Sequence, residues 1–194
     1  MSPGQHFIIS WVVANGAKLD RKSRICITLS GLLPDVDGIG YLVDKIGIRF
    51  GQYTSYYEDY HHMYGHNLLS GIVLATTFTY ICDKRISVFF LSLLAFHLHL
   101  LCDLAGSMGP DGYQWPIPYL YPFLPDFLLT WSGQWELSSW QNSVTGILFF
   151  VIALVIARYR HVTFFELLSP GLEAAVSKVA TDRSFYKFNK GIKH

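Results

Sequence analysis

From Leu137 to Ala157 the chain carries no Asp, Glu, Lys or Arg. A helix of about twenty residues at about 1.5 Å per residue matches the roughly 30 Å hydrocarbon core of a bilayer. Such a run fits neither an ordinary surface helix nor a strand, and it predicts a membrane-embedded helix. Asn67 to Cys82 and Ile86 to Cys102 are similarly apolar, and only Asp83-Lys84-Arg85 joins them. So short a link requires an antiparallel helical hairpin. Phe7 to Ala17 and Ile25 to Leu33 are apolar for only about ten residues each, too short to cross a bilayer alone.

Composition agrees, with 15% charged residues where a soluble domain carries about 25%. A net charge of +1 offers no basic face for nucleic acid. Cys26, Cys82 and Cys102 lie within apolar runs without disulfide or zinc-knuckle spacing and read as buried small hydrophobes. Met1 to Ala17 lacks the basic start of a signal peptide, so this segment is expected to stay in the mature protein. Gly106 to Gln134 is rich in Gly, Pro, Trp and Tyr, as in Trp115-Pro116-Ile117-Pro118, and reads as a lid or interfacial loop. Beyond about residue 161 the chain turns polar and basic: Gly171 to Ala180 suits an amphipathic helix, and Lys187, Lys190 and Lys193 follow it. The expected fold is all-α, a compact helical bundle forming a single membrane-associated domain over 1–194.

Sorting charges along the expected helices separates two kinds of chemistry. Lys18, Arg21, Lys22 and Arg24 form one basic loop, Lys84 and Arg85 a second, Arg158 and Arg160 a third. By the positive-inside rule these belong in the cytoplasm. Up-and-down helices alternate their ends. The opposite end then receives His6, the Asp35 and Asp37 pair, the His61, His62 and His66 cluster, and His99 with Asp103. Four segments therefore bring metal-ligating residue types to one end of the bundle.

His99 and Asp103 stand four apart on one helix face, able to share an ion. His97 falls on another face and reads as a core or ligand-supporting histidine. Asp35 and Asp37 follow Leu33-Pro34, where proline ends a helix and sets an extended turn. Taken alone the pair fits a turn with a capping aspartate first, and a pair of carboxylates for a cation second. His62 and His66 have helical i, i+4 spacing, with His61 five before His66. Ionisable groups beside a membrane span are costly unless paired or metal-bound. Glu58 and Asp59 are placed to orient such ligands. No nucleophile elbow, zincin motif or phosphate-cradling glycine loop occurs.

His6, then Leu33-Pro34-Asp35-Val36-Asp37, then His61 with His66, then His99-Leu100-Leu101-Cys102-Asp103 resembles a family of metal-dependent hydrolases associated with the bacterial inner membrane, some of them LexA-regulated. The resemblance covers roughly residues 6–125. His62, Gly65 and Asn67 depart from the Arg, Thr and Ser usual in that family's middle motif. The order of ligands is more loosely similar to zinc-dependent phospholipase C and related nucleases. The resemblance implies that His6, Asp35, Asp37, His61, His66, His99 and Asp103 hold one or more divalent ions. It also implies hydrolysis of a phosphoester or lipid-like substrate by metal-activated water, with Asp35 or Asp37 as general base. Mixed His and Asp donors suit zinc best, with manganese or iron as alternatives. The other class of reading is a non-catalytic metal-binding or metal-transporting membrane protein.

Overall fold

The computed structural model describes residues 1–83 and 85–181. Lys84, Lys187, Lys190 and Lys193 lie outside the described residues. The elements are α1 (Pro3–Asn15), α2 (Arg21–Ser30), a 3-10 helix (Leu33–Ile39), α3 (Gly40–Arg49), α4 (Tyr56–Tyr60), α5 (Leu68–Ile81), α6 (Ile86–Gly106), α7 (Trp140–Arg160), a second 3-10 helix (Phe164–Leu167) and α8 (Pro170–Thr181). The all-α expectation holds: among the described residues there is no strand, only two isolated bridges within the long loop.

The boundaries follow from local chemistry. Pro3 sits in the first turn of α1, and the Ser2 N–H donates to the Gln5 side chain at 3.0 Å. Asp20 caps α2 by accepting from the Ser23 N–H at 3.0 Å. Asn67 caps α5 by accepting from the Ser70 N–H at 2.9 Å. Because Asn67 is a cap, α5 has 14 residues and is only about 21 Å long. It is shorter than the span its apolar sequence predicts. By contrast, α6 and α7 each run 21 residues and are long and apolar enough to cross a membrane.

α3 is an addition to the elements expected from sequence. With α2 it makes a pair bent by 51° that together has the length and composition of a broken span or re-entrant loop. Pro34 also behaves differently from the extended turn expected of it. It occupies the first turn of the 3-10 helix, where its missing N–H costs nothing.

α6 is the axis of the bundle and packs against α1, α2 and α5. Ala14, Cys26, Ile27, Phe78, Cys82, Val88 and Ala95 form one buried cluster, and Phe96, Leu100 and Ile117 a second. α7 touches mainly α1 and leaves Val144, Ile147, Leu148, Val151, Leu154 and Val155 exposed. Apolar side chains on this scale around a long helix are what a lipid-facing span presents. Buried Asn142 anchors its start, donating to the carbonyls of Gly106 (2.8 Å) and Leu137 (2.9 Å) while its Oδ1 accepts from Trp135 Nε1 (2.8 Å).

The basic clusters do meet at one end. Arg85 pairs with Asp20, Arg160 donates to the carbonyls of Asn15 and Ala17, and Arg24 pairs with buried Glu166. Glu166 also accepts from Trp11 Nε1 at 3.2 Å, and Arg21 donates to its backbone carbonyl. The segment after α7 is thereby tied back onto the α1–α2 turn.

Candidate metal centre

At the other end, α1 supplies His6, the 3-10 break between α2 and α3 supplies Asp35 and Asp37, the turn before α5 supplies His61, His62 and His66, and α6 supplies His99 and Asp103. Two sets have donor atoms all within 4.8 Å of one another: His6, Asp35, His99 and Asp103, and His62, His66 and Asp103. They share Asp103, which is 2% exposed.

The tightest constellation combines both sets. His99 Nε2 lies 3.0 Å from His66 Nε2, 3.0 Å from Asp103 Oδ2 and 3.6 Å from Asp35 Oδ1. His66 Nε2 lies 3.5 Å from Asp103 Oδ2 and 3.9 Å from Asp35 Oδ1. Bonds of about 2.0–2.2 Å to a tetrahedral ion separate neighbouring donors by roughly 3.3–3.6 Å, so this spacing is one that zinc can bridge.

The tautomers sharpen the point. His99 Nδ1 lies 2.9 Å from the Gly31 carbonyl oxygen, which can only accept. Nδ1 therefore carries the hydrogen, and in the neutral ring Nε2 presents a lone pair to the cluster. His66 Nδ1 faces Asp37 Oδ2 at 3.5 Å, so its Nε2 is directed the same way. Two nitrogen lone pairs 3.0 Å apart repel unless a cation or proton lies between them. In keeping with this, burial works to lower the basicity of His66, yet the Asp103 and Asp37 carboxylates hold its pKa up to about 9. Burial, with His66 adding to it, pushes His62 well below 6.5. Asp35 Oδ2, Asp103 Oδ2, His6 Nδ1 and His62 Nδ1 are buried without hydrogen-bond partners. Groups so arranged are costly unless positive charge compensates them, and the Met1 ammonium, paired with Asp103 Oδ1 and Ser107 Oγ, supplies part of that charge. The donor set fits a divalent ion.

A family model described as YdjM inner membrane protein matches residues 1–177. The chain belongs to that family. No curated protein and no solved structure matched it. The family description names the inner membrane, the two long apolar helices of this YdjM-family chain fit insertion into a membrane, and the description says nothing of catalysis. Neither the likeness to metal-dependent hydrolases nor that to phospholipase C gained support from these matches.

Within the YdjM-family chain, all seven residues named from the sequence gather at this end, but two take other positions. His61 lies outside both ligand sets, its Nδ1 2.8 Å from Asp37 Oδ1, and His62 takes the inward place. The resemblance puts His61 in this place, whereas the pair at i, i+4 spacing, His62 and His66, is the one that meets, although α4 ends at Tyr60 and His62 has a left-handed φ of 71°. Asp37 is likewise outside both sets. It accepts from the backbone N–H groups of His62 (3.1 Å) and Gly65 (3.4 Å), so it holds the histidine turn in place. Glu58 and Asp59 do not orient the ligands. Both line a neighbouring cavity, and Asp59 accepts from Ser55 Oγ at 2.6 Å. His97 is structural, as its helix face implied, with Nδ1 on the Leu93 carbonyl (2.7 Å) and Nε2 on the Tyr119 hydroxyl (2.9 Å).

Two glycines allow this convergence. A Cβ on Gly65 would stand 2.4 Å from the Pro34 carbonyl oxygen, and one on Gly31 only 1.8 Å from Ser10 Oγ. The histidine turn can therefore lie against the Asp35 segment, and the Gly31 carbonyl can reach His99. Replacing Asp37 by Asn, which weakens its hold on His61, His66 and the turn, is expected to lower metal affinity about 10–100-fold. Metal titration against a competing chelator measures this.

Proposed function

We propose that the chain is a membrane-bound metal-dependent hydrolase of a phosphoester or lipid-like substrate, with its centre at the extracytoplasmic face. The observation that carries this reading is the meeting of His66 Nε2 and His99 Nε2 at 3.0 Å beside two carboxylates. Imidazole with carboxylate suits zinc, and manganese or iron are the alternatives. The basic cluster at the opposite end supports the sidedness through the positive-inside rule.

Asp35, His66, His99 and Asp103 would hold the ion, with His6 and His62 flanking them. When bound, it supplies Lewis-acid polarisation of a phosphoryl oxygen and an acidified water. The chain's own contribution is positional and acid–base. Asp35 turns Oδ1 toward the imidazoles, while its buried Oδ2 has no hydrogen-bond partner and is available to take the proton of the attacking water. Asp37 is committed to His61 and the turn, so Asp35 is the better general base of the two. Asp103 accepts from the Ser107 hydroxyl and meets His6 Nε2 at 3.0 Å, which fixes its carboxylate plane.

A lipid-like substrate is supported by an apolar groove between Leu68, Leu69 and Ile72 on α5 and Tyr119 and Phe123 of the long loop. It borders the cavity beside the histidines at Tyr121, which lines both.

The test is a phosphodiester and phospholipid panel on the zinc-loaded chain in nanodiscs. Hydrolysis abolished by chelator and restored by zinc is expected, with Asp35→Asn binding zinc more weakly and lowering kcat about 100-fold or more when measured at saturating zinc. No metal-dependent turnover across the panel would overturn the reading.

A further inference from the structure

Beside the centre lies a cavity of about 230 Å³ between the histidine turn and the long loop. His61 and His62 form the side nearest the metal ligands. His62 is 5% exposed, its Nε2 stands 4.0 Å from Asp103 Oδ2, and its buried Nδ1 has no hydrogen-bond partner. Trp115 makes T-shaped contacts with both imidazoles, with ring centres 5.6 Å from His61 and 5.3 Å from His62. Tyr113 meets Trp115 edge-on at 5.4 Å.

The charge on the wall is one-sided. Glu58 and Asp59 line the cavity, and no Lys or Arg does. Glu58 has neither hydrogen-bond nor ion-pair partner among the described residues. A phosphate group would find no counter-charge in the cavity itself, so its place is at the metal ligands. Aromatic faces together with carboxylates are complementary to an organic cation, above all a methylated or primary ammonium whose charge is spread over a bulky group. The cavity and the centre meet at His62, so one small molecule can reach both.

We infer that this cavity binds the ammonium group of a zwitterionic phosphoester whose phosphate lies at the metal centre. The inference rests on the metal-centre reading above. The shared chemistry is an ammonium joined to a phosphate by a short linker, borne either on a soluble ester or on a lipid headgroup.

The zinc-loaded full chain in maltoside micelles is titrated calorimetrically with inorganic phosphate, phosphocholine and glycerol phosphate. Phosphocholine is expected to bind about tenfold more tightly than glycerol phosphate, the range of a desolvated cation–π contact. Glu58→Gln, at an exposed position that leaves the fold intact, is expected to cut that preference to about twofold or threefold without changing phosphate affinity. Bicelles then separate the sources. Competition by phosphatidylcholine but not phosphatidylglycerol supports the site as a headgroup site, and failure of both lipids to compete supports it as a site for a soluble ester. Equal affinity for the two esters with phosphate still bound overturns the ammonium site and leaves the metal centre standing. No binding of phosphate either, after zinc loading, overturns both.

Discussion

Asp103→Ala is expected to abolish hydrolysis and to remove the stabilisation that zinc gives the folded chain. Asp103 belongs to both ligand sets and contacts His6, His66 and His99 at once. A ligand at about a thousand times its Kd stabilises the folded state by roughly 4 kcal/mol. A thermal-denaturation series with rising zinc should therefore move the wild-type midpoint upward and leave the variant's unchanged. Because Asp103 pairs with the buried Met1 ammonium and meets His66, its removal leaves buried positive charge unpaired, and the zinc-free variant is expected to be less stable than the zinc-free wild type. The zinc-dependent shift, rather than stability itself, is thus the informative quantity. An equal shift in both proteins would show that Asp103 is not a ligand.

The second large effect lies at the opposite end. Glu166 is fully buried and holds Arg24 through Nε at 3.1 Å and Nη2 at 2.5 Å, while accepting from Trp11. Glu166→Ala leaves a largely buried guanidinium unpaired, which costs about 3–5 kcal/mol. Arg85→Ala breaks only the half-exposed pair with Asp20, and exposed pairs are worth about 0–1 kcal/mol. Unfolding midpoints in detergent should therefore fall steeply for the first variant and little for the second. Metal content per folded chain should stay unchanged in both, since neither residue approaches the centre. A loss of metal in Glu166→Ala would mean that the two ends of the bundle are coupled.

The division of the molecule into a basic end and a ligand end was legible in the sequence. Charge position and helix alternation determine it, and both survive errors in helix boundaries. The α5–α6 hairpin was legible for the same reason: only three residues separate the two apolar runs. What the sequence concealed depends on contacts between distant segments. The exchange of His61 for His62 was half legible: the i, i+4 spacing pairs His62 with His66 as the structure does, but the end of α4 at Tyr60 and the left-handed residue at 62, with His61 turned onto Asp37, are not reported by spacing. Asp37 resembles a ligand in the L-P-D-x-D turn. It becomes a positioning residue because Gly65 lets the histidine turn close against Pro34, some thirty residues away in the chain. α3 was missed because Gly40 and Gly47 and its mixed polarity hide a helix that the break at Leu33–Ile39 redirects. α5 looked like a span because composition does not reveal that Asn67 caps it and leaves 14 residues.

Elemental analysis of the wild-type chain, purified in detergent under metal-replete conditions and freed of loosely held ions, tests the central claim most directly. The account predicts close to stoichiometric zinc, or manganese or iron in its place, in every preparation. A chain that is folded, monodisperse and still metal-free would contradict it, and the buried histidines and aspartates would then be a proton-sharing network that serves the fold alone.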